Sequence, residues 1–165
     1  VFTSMAFMRK VFHETAREFP GTHAADHYID AMALDLVRRP WDFDVLPMEN
    51  MFGDILSDLG AGLVGGMGYA PSADIGDEHA VFQPSHGTGP DIAGKGVANP
   101  TAMILSAAMM LDWLGSRGAG ASWSDAATEL EAAVDAAFAG GLHTAEFGGA
   151  GTREVTRAVL DRIPG

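Results

Sequence analysis

The sequence predicts a mixed α/β fold. Three features predict it. Apolar residues recur at three- and four-residue spacing through several windows of ten residues or more, the signature of amphipathic helices. Two short apolar runs, Phe43–Met48 and Ala80–Gln83, read instead as strands. Glycine, at 21 of 165 residues, gathers in connections such as Gly60–Gly68 and His86–Gly96 rather than inside the periodic windows.

In chain order, Ser4 is a candidate cap for a first helix with Met8, Val11, Phe12, Ala16 and Phe19 on one stripe, ended by Pro20-Gly21. A short Asp26–Tyr28 segment leads to a second helix. There Ile29, Met32, Ala33, Leu36 and Val37 share a face, Arg38-Arg39 suit the C-terminal dipole, and Pro40 stops it. Phe43–Met48 reads as a buried strand with Pro47 at its end, because proline removes a ladder donor. Gly53–Leu59 reads as helix. Asn99-Pro100 marks a helix start, Asn at the cap and Pro in the first turn, running to about Leu114. Gly115–Ala121 reads as a flexible connection. A helix from Ser122 to Gly140-Gly141 and a last one from Thr152, bounded by Pro164, complete the chain.

Composition narrows the function. Ten Lys and Arg stand against 22 Asp and Glu, a formal net charge of -12. Such a surface repels phosphodiesters and anionic lipid, so no nucleic-acid and no membrane partner is expected; cations suit it better. Without cysteine, disulfides, thiolate zinc sites and cysteine nucleophiles are excluded. The first nineteen residues carry Arg9, Lys10, Glu14, Arg17 and Glu18, which is wrong for a signal peptide. The longest uncharged runs, Leu59–Ala73 and Val97–Leu111, have 15 residues each, short of the roughly 20 that a membrane helix needs. The expectation is a soluble, cytoplasmic protein. The chain opens on Val1 rather than Met, which fits an excerpt of something longer.

Two stretches carry chemistry. In the first, Asp54 and Asp58 are four residues apart, so a helix sets both carboxylates on one face. Like charges there repel unless a cation lies between them, and no basic residue occurs between Arg39 and Lys95. A hard divalent ion such as Mg²⁺ or Mn²⁺ takes such oxygen donors; a solvated acidic helix is the plainer alternative. Asp30 is a further carboxylate beside an apolar stripe, equally readable as an exposed helix-start residue. The second stretch is His86-Gly87-Thr88-Gly89-Pro90-Asp91-Ile92-Ala93-Gly94-Lys95-Gly96, ahead of Asn99-Pro100. It matches neither the Walker nor the Rossmann glycine pattern, and Pro90 blocks a helix there. Its backbone can approach a flat or phosphorylated ligand, or it is a surface loop.

Taken together, Asn50–Asp58, Gly65-Gly66-Met67-Gly68 and Pro71-Ser72-Ala73, followed by the His86–Pro100 loop, resemble the β-decarboxylating dehydrogenases. These are the isopropylmalate, isocitrate and homoisocitrate dehydrogenases. The resemblance runs from Val1 to about Ile163 and covers only the second half of that family's length. It implies a non-Rossmann isocitrate/isopropylmalate dehydrogenase-like fold, here incomplete. Residues 1–64 would finish a central substrate and dimerisation domain, and residues 65–165 would form the C-terminal part of a cofactor domain.

The resemblance also implies a Mg²⁺ or Mn²⁺ site from Asp30, Asp54 and Asp58, with Asp30 contributed across a homodimer interface to the other subunit's pair. It implies NAD binding by His86, Gly87, Thr88, Gly89, Pro90, Asp91, Ile92 and Asn99, His86 and Asn99 lying near adenine. Asp91-Ile92 matches the NAD-preferring members, since a carboxylate accepts from ribose hydroxyls and repels a 2′-phosphate. The implied reaction is oxidative decarboxylation of a 2-hydroxy acid. The family's catalytic lysine and tyrosine and its substrate arginines fall in the missing N-terminal half; Lys10 does not stand in the lysine's place, so no catalytic residue is expected in this chain. A fragment that keeps metal and nucleotide contacts without turnover, or serves an interaction role, is the alternative. Gln83 replaces the family's usual Glu and Gly89 its usual Ala.

Overall fold

The computed structural model describes residues 2–164. It divides into two compact units, Val1–Gly60 and Ala61–Gly165.

The first unit holds helix α1 (Thr3–Ala16), helix α2 (Ile29–Arg38) and most of helix α3 (Asn50–Leu63). Helix α1 begins one residue before Ser4: Phe2 occupies the cap position, and no side-chain cap bond forms. Its stripe is only partly covered. Met8, Phe12 and Ala16 are half-buried, whereas Val11 and Phe19 are exposed. Helix α2 has the expected bounds, and its Met32 is buried, as is Leu56 of α3. Phe43–Met48 is not a strand, and Val45 is 79% exposed. A strand needs a ladder partner, and the described residues of this unit contain no other strand. Phe7, Tyr28, Leu34 and Trp41 are also exposed, so this unit leaves many large apolar side chains uncovered.

The second unit is built on a helix pair. Helix α4 (Thr101–Leu114) packs along helix α5 (Ala121–Ala139), with helix α6 (Thr152–Leu160) against α5. Ala102, Ala108, Ala127, Ala133 and Ala137 are buried; small side chains let helix backbones come close. Around Ala133, Val134, Ala137 and Val159 lie Ile104, Leu105, Leu130, Phe138, Leu142 and Ile163. Strands β1 (Pro71–Ile75) and β2 (Ala80–Pro84) form an antiparallel hairpin, Ser72 opposite Gln83. The Ser106 hydroxyl ties α4 to it by donating to the Gln83 carbonyl at 2.8 Å.

Two junctions explain the glycines. At the end of α3, Gly66 N–H reaches Ala61 O at 2.8 Å and Gly65 N–H reaches Gly62 O at 3.3 Å, with Gly65 at φ +112°. This is a Schellman closure, in which glycine takes the left-handed position without strain. Between α4 and α5, the residues Gly115–Ala119 are not a slack tether. A Cβ on Gly115 would fall within 3.0 Å of the Ser124 backbone nitrogen, so glycine permits a close helix crossing. Arg117 from this turn donates to the Asp77 and Gly76 carbonyls and lies 5.1 Å from the Trp113 ring centre, clamping the hairpin turn.

Candidate functional site

Helix α3 presents Asp54 and Asp58 one turn apart, both exposed. Among the described residues neither carboxylate forms an ion pair or accepts a side-chain hydrogen bond. The sequence sets this up: the helix is apolar or small except at Asn50, these two positions and Ser57, whose hydroxyl donates to the Asp54 carbonyl at 3.1 Å. Two bare carboxylates at this spacing destabilise a helix until a cation joins them, and oxygen donors are what Mg²⁺ and Mn²⁺ take. Asp30 opens α2, where its Oδ1 accepts the Ala31 N–H at 2.9 Å and its side chain is exposed. The described residues hold no group of three His, Asp or Glu able to enclose a metal. Asp30 is therefore not gathered with Asp54 and Asp58 within one copy.

The strongest ionic network of this unit lies elsewhere. Asp35 accepts from Arg39 at 2.8 Å and from His27 at 3.0 Å, and Arg39 also donates to Asp42 at 3.1 Å. The Phe43 ring stands edge-on to His27, with centroids 5.8 Å apart. The Arg39 guanidinium holds the Asp35 carboxyl below its ordinary value of 3.8; partial burial opposes this, and His27 adds to it. In turn Asp35 raises Arg39 above its ordinary range. Sequence spacing did not expose this cluster, because His27 lies before the helix that carries Asp35, and Arg39 lies at its C-cap.

In the second unit, residues 85–98 form an exposed loop. His86 donates its Nδ1–H to the Gly87 carbonyl at 2.8 Å, a local bond that leaves Nε2 uncommitted. Gly89 adopts φ +54°, and Pro90–Ile92 then make a single 3-10 turn with Asp91 exposed. Thr88 lies between these two turns, also exposed. Asn99 ends the loop. Its Oδ1 accepts the N–H of Thr101, the first residue of α4, at 3.0 Å; the helix starts one residue later than the residue pattern predicts, with Pro100 at the cap position and Asn99 just before it.

The exit limb of this loop is fastened by residues that sequence reasoning did not connect to it. Asn99 Nδ2 donates to Glu146 Oε1 at 2.9 Å. Thr152 donates its N–H to the Gly96 carbonyl at 2.9 Å and its hydroxyl to the Ala98 carbonyl. From the other side, a Cβ on Gly68 would come within 3.0 Å of the Asn99 Cβ, so the glycine lets the chain pass against that side chain. A cavity of about 690 Å³ also lies in this unit, lined mainly by apolar groups including Tyr69, Leu105, Val134, Phe138 and Phe147; none of the site residues named above lines it. No helix of the described residues is long and apolar enough to cross a membrane.

The chain matches the isocitrate/isopropylmalate dehydrogenase family over residues 1–163. It is 52% identical, over 91% of its length and 43% of the relative's, to an isocitrate/homoisocitrate dehydrogenase of Thermus thermophilus. It is 48% identical to a 3-isopropylmalate/3-methylmalate dehydrogenase of Methanocaldococcus jannaschii, over 94% of this chain and 45% of the other. Among solved structures, an isocitrate dehydrogenase from Methylococcus capsulatus superposes with a TM-score of 0.83 at 41% identity, covering 93% of this chain and 44% of that one. A β-decarboxylating dehydrogenase from Thermococcus kodakarensis superposes with a TM-score of 0.82 at 42% identity, over 98% and 46%. The chain thus spans less than half the length of these relatives. With matches of this extent to family, relatives and folds alike, the chain belongs to the isocitrate/isopropylmalate dehydrogenase family.

Proposed function

We propose that this chain supplies the divalent-metal carboxylates and the adenosine loop of an NAD-dependent β-decarboxylating dehydrogenase acting on a 2-hydroxy acid of the isopropylmalate, isocitrate or homoisocitrate type. One observation carries the reading: a chain of this family holds two exposed, unpaired carboxylates one helical turn apart. Asp54 and Asp58 hold Mg²⁺ or Mn²⁺. Asp30 serves the pair of a second copy, which agrees with its separation from them and with the uncovered apolar surface of the first unit. A homodimer with a shared site follows.

NAD held by this loop would accept hydride from the substrate's C2, with the hydroxyl proton passing to a base, to give the 2-ketone; the carboxylate β to that ketone would then leave as CO₂, the electrons of the broken C–C bond forming an enolate that takes up a proton at that carbon. A divalent cation held by Asp54 and Asp58 would lower the cost of negative charge on the substrate's 2-oxygen. Asp54 and Asp58 fix where that charge is placed and orient the hydroxy acid through it. Along residues 86–99, exposed backbone and the His86 and Asn99 side chains seat the adenosine end of NAD. Asp91 accepts from the ribose hydroxyls and repels a 2′-phosphate, which selects NAD over NADP. No residue of this chain is assigned the proton transfers, so the chain alone binds without turning over.

Calorimetric titration of the 165-residue chain tests this. Mn²⁺ binds, and Asp58→Asn weakens binding sharply; NAD binds in preference to NADP, and Asp91→Lys reverses the preference. Unchanged Mn²⁺ affinity in Asp58→Asn overturns the metal assignment. Turnover of a 2-hydroxy acid by the chain alone overturns its dependence on residues elsewhere.

A further inference from the structure

We infer that Glu146 is a positioning residue for the base end of the nucleotide, acting through Asn99. The inference rests on the proposed seating of adenosine along residues 86–99 and deepens it.

Two bonds of opposite sense hold the Asn99 amide. Its oxygen accepts the Thr101 N–H at 3.0 Å, and its nitrogen donates to Glu146 Oε1 at 2.9 Å. Rotating the amide by half a turn would set its NH₂ against the Thr101 N–H and its oxygen against the Glu146 carboxylate. Both contacts would then be repulsive, so the pair of partners selects one orientation. The bond from Thr101 alone is a weak selector. The charged partner supplies the stronger bond, because hydrogen bonds to an ionised acceptor exceed neutral ones roughly twofold.

Glu146 is itself well anchored. It stands in the 3-10 turn Ala145–Phe147, directly after Thr144, which is fully buried and shares a 2.7 Å hydrogen bond with the Tyr69 hydroxyl. The turn closes through Gly149, whose N–H reaches Thr144 O at 3.0 Å. A Cβ there would overlap the His143 carbonyl, so only glycine fits. Among the described residues Glu146 has no cationic partner; its recorded side-chain bond is the one to Asn99. A carboxylate on a rigid turn, committed to the side chain that ends the nucleotide loop, fixes which edge of that amide faces a ligand. Thr152 restrains the backbone of the same limb, through Gly96 and Ala98, so Glu146 governs the side chain while Thr152 governs the main chain.

The test uses the 165-residue chain, isotopically labelled, with NAD as the probe. In wild type the Asn99 side-chain amide gives a distinct pair of resonances that move as acid protonates Glu146. In Glu146→Ala these resonances lose that pH response, and NAD binds about tenfold more weakly. Glu146→Gln keeps an acceptor oxygen and recovers most of the affinity while still lacking the pH response, which separates orientation from loss of folding. If Glu146→Ala binds NAD as wild type does, or if Asn99 shows no response to Glu146, the positioning role is overturned while the proposed function stands. If wild type itself binds no NAD, the seating of adenosine fails, and this inference with it.

Discussion

Replacing Asp54 by Asn separates two effects of opposite sign. Asn and Asp have nearly equal helix propensity, so the change mainly deletes a charge. Asp54 stands beyond the first turn of α3, where the helix dipole rewards it little. Its chief electrostatic neighbour is Asp58 at i+4, a like-charge pair worth about 0.2–0.5 kcal/mol against the helix. Without metal, Asp54→Asn is therefore expected to stabilise. At about 2–4 °C per kcal/mol for a chain of this size, the melting temperature rises by about 1 °C. With Mn²⁺ the order reverses. Metal at a hundred times its Kd stabilises the wild type by about 2.7 kcal/mol, or about 8 °C. If losing one charged ligand weakens binding about tenfold, the same Mn²⁺ concentration gives the variant about 1.4 kcal/mol, or about 4 °C. Thermal melts of both proteins with and without Mn²⁺ read all four numbers. A variant that melts below wild type in metal-free buffer, or keeps the full Mn²⁺ shift, refutes the view of Asp54 and Asp58 as a pair held apart for a cation.

The other expectations are simpler. Gly89 has φ +54°, and an L-residue there costs about 1 kcal/mol; Gly89→Ala should lower stability by that amount in urea melts, and an unchanged midpoint would remove the strain argument. Asp35 has a folded-state value below its ordinary 3.8, so its contribution is present above that value and is lost as pH falls through the lower folded one. Asp35→Asn should thus destabilise at pH 7 and fall less steeply with acid; parallel stability curves from pH 7 to 2 would count against the network.

What the sequence discloses depends on how local the cause is. Helices α2 and α4 were readable because their stops and starts, Pro40 and Asn99-Pro100, act within a residue or two of where they stand. The Asp54 and Asp58 spacing was readable for the same reason. Phe43–Met48 misled because an apolar run implies burial only when something covers it, and Val45 is left open. Strand β1 was missed: Pro71-Ser72-Ala73 lacks the branched and aromatic side chains that mark strands. It is held by pairing with β2, which composition does not record. Gly115–Ala121 reads as slack because small residues serve both flexibility and close approach, and only the crossing of Gly115 with Ser124 decides between them.

The least visible part of the site is the part that aims it. Glu146 and Thr152 lie 47 and 54 residues from the loop groups they bind, in a stretch with no motif of its own. A loop of exposed glycines can approach a ligand closely but cannot hold one orientation by itself, since glycine raises the entropy that binding must overcome. The chain meets that cost at the loop's exit, where α6 fastens the backbone and the turn after α5 fastens Asn99. The entrance, by contrast, is fixed by the hairpin: Ser85 N–H reaches the Ala70 carbonyl at 3.1 Å and its hydroxyl reaches the same atom at 2.8 Å. Between these anchors, residues 86–95 are left exposed and locally bonded. On the proposed seating of NAD, the stiffness that selects the nucleotide resides in the flanks of the glycine loop, and substitutions at Asn99, Glu146 and Thr152 should alter NAD affinity more than changes of equal size at the exposed Ala93 or Lys95.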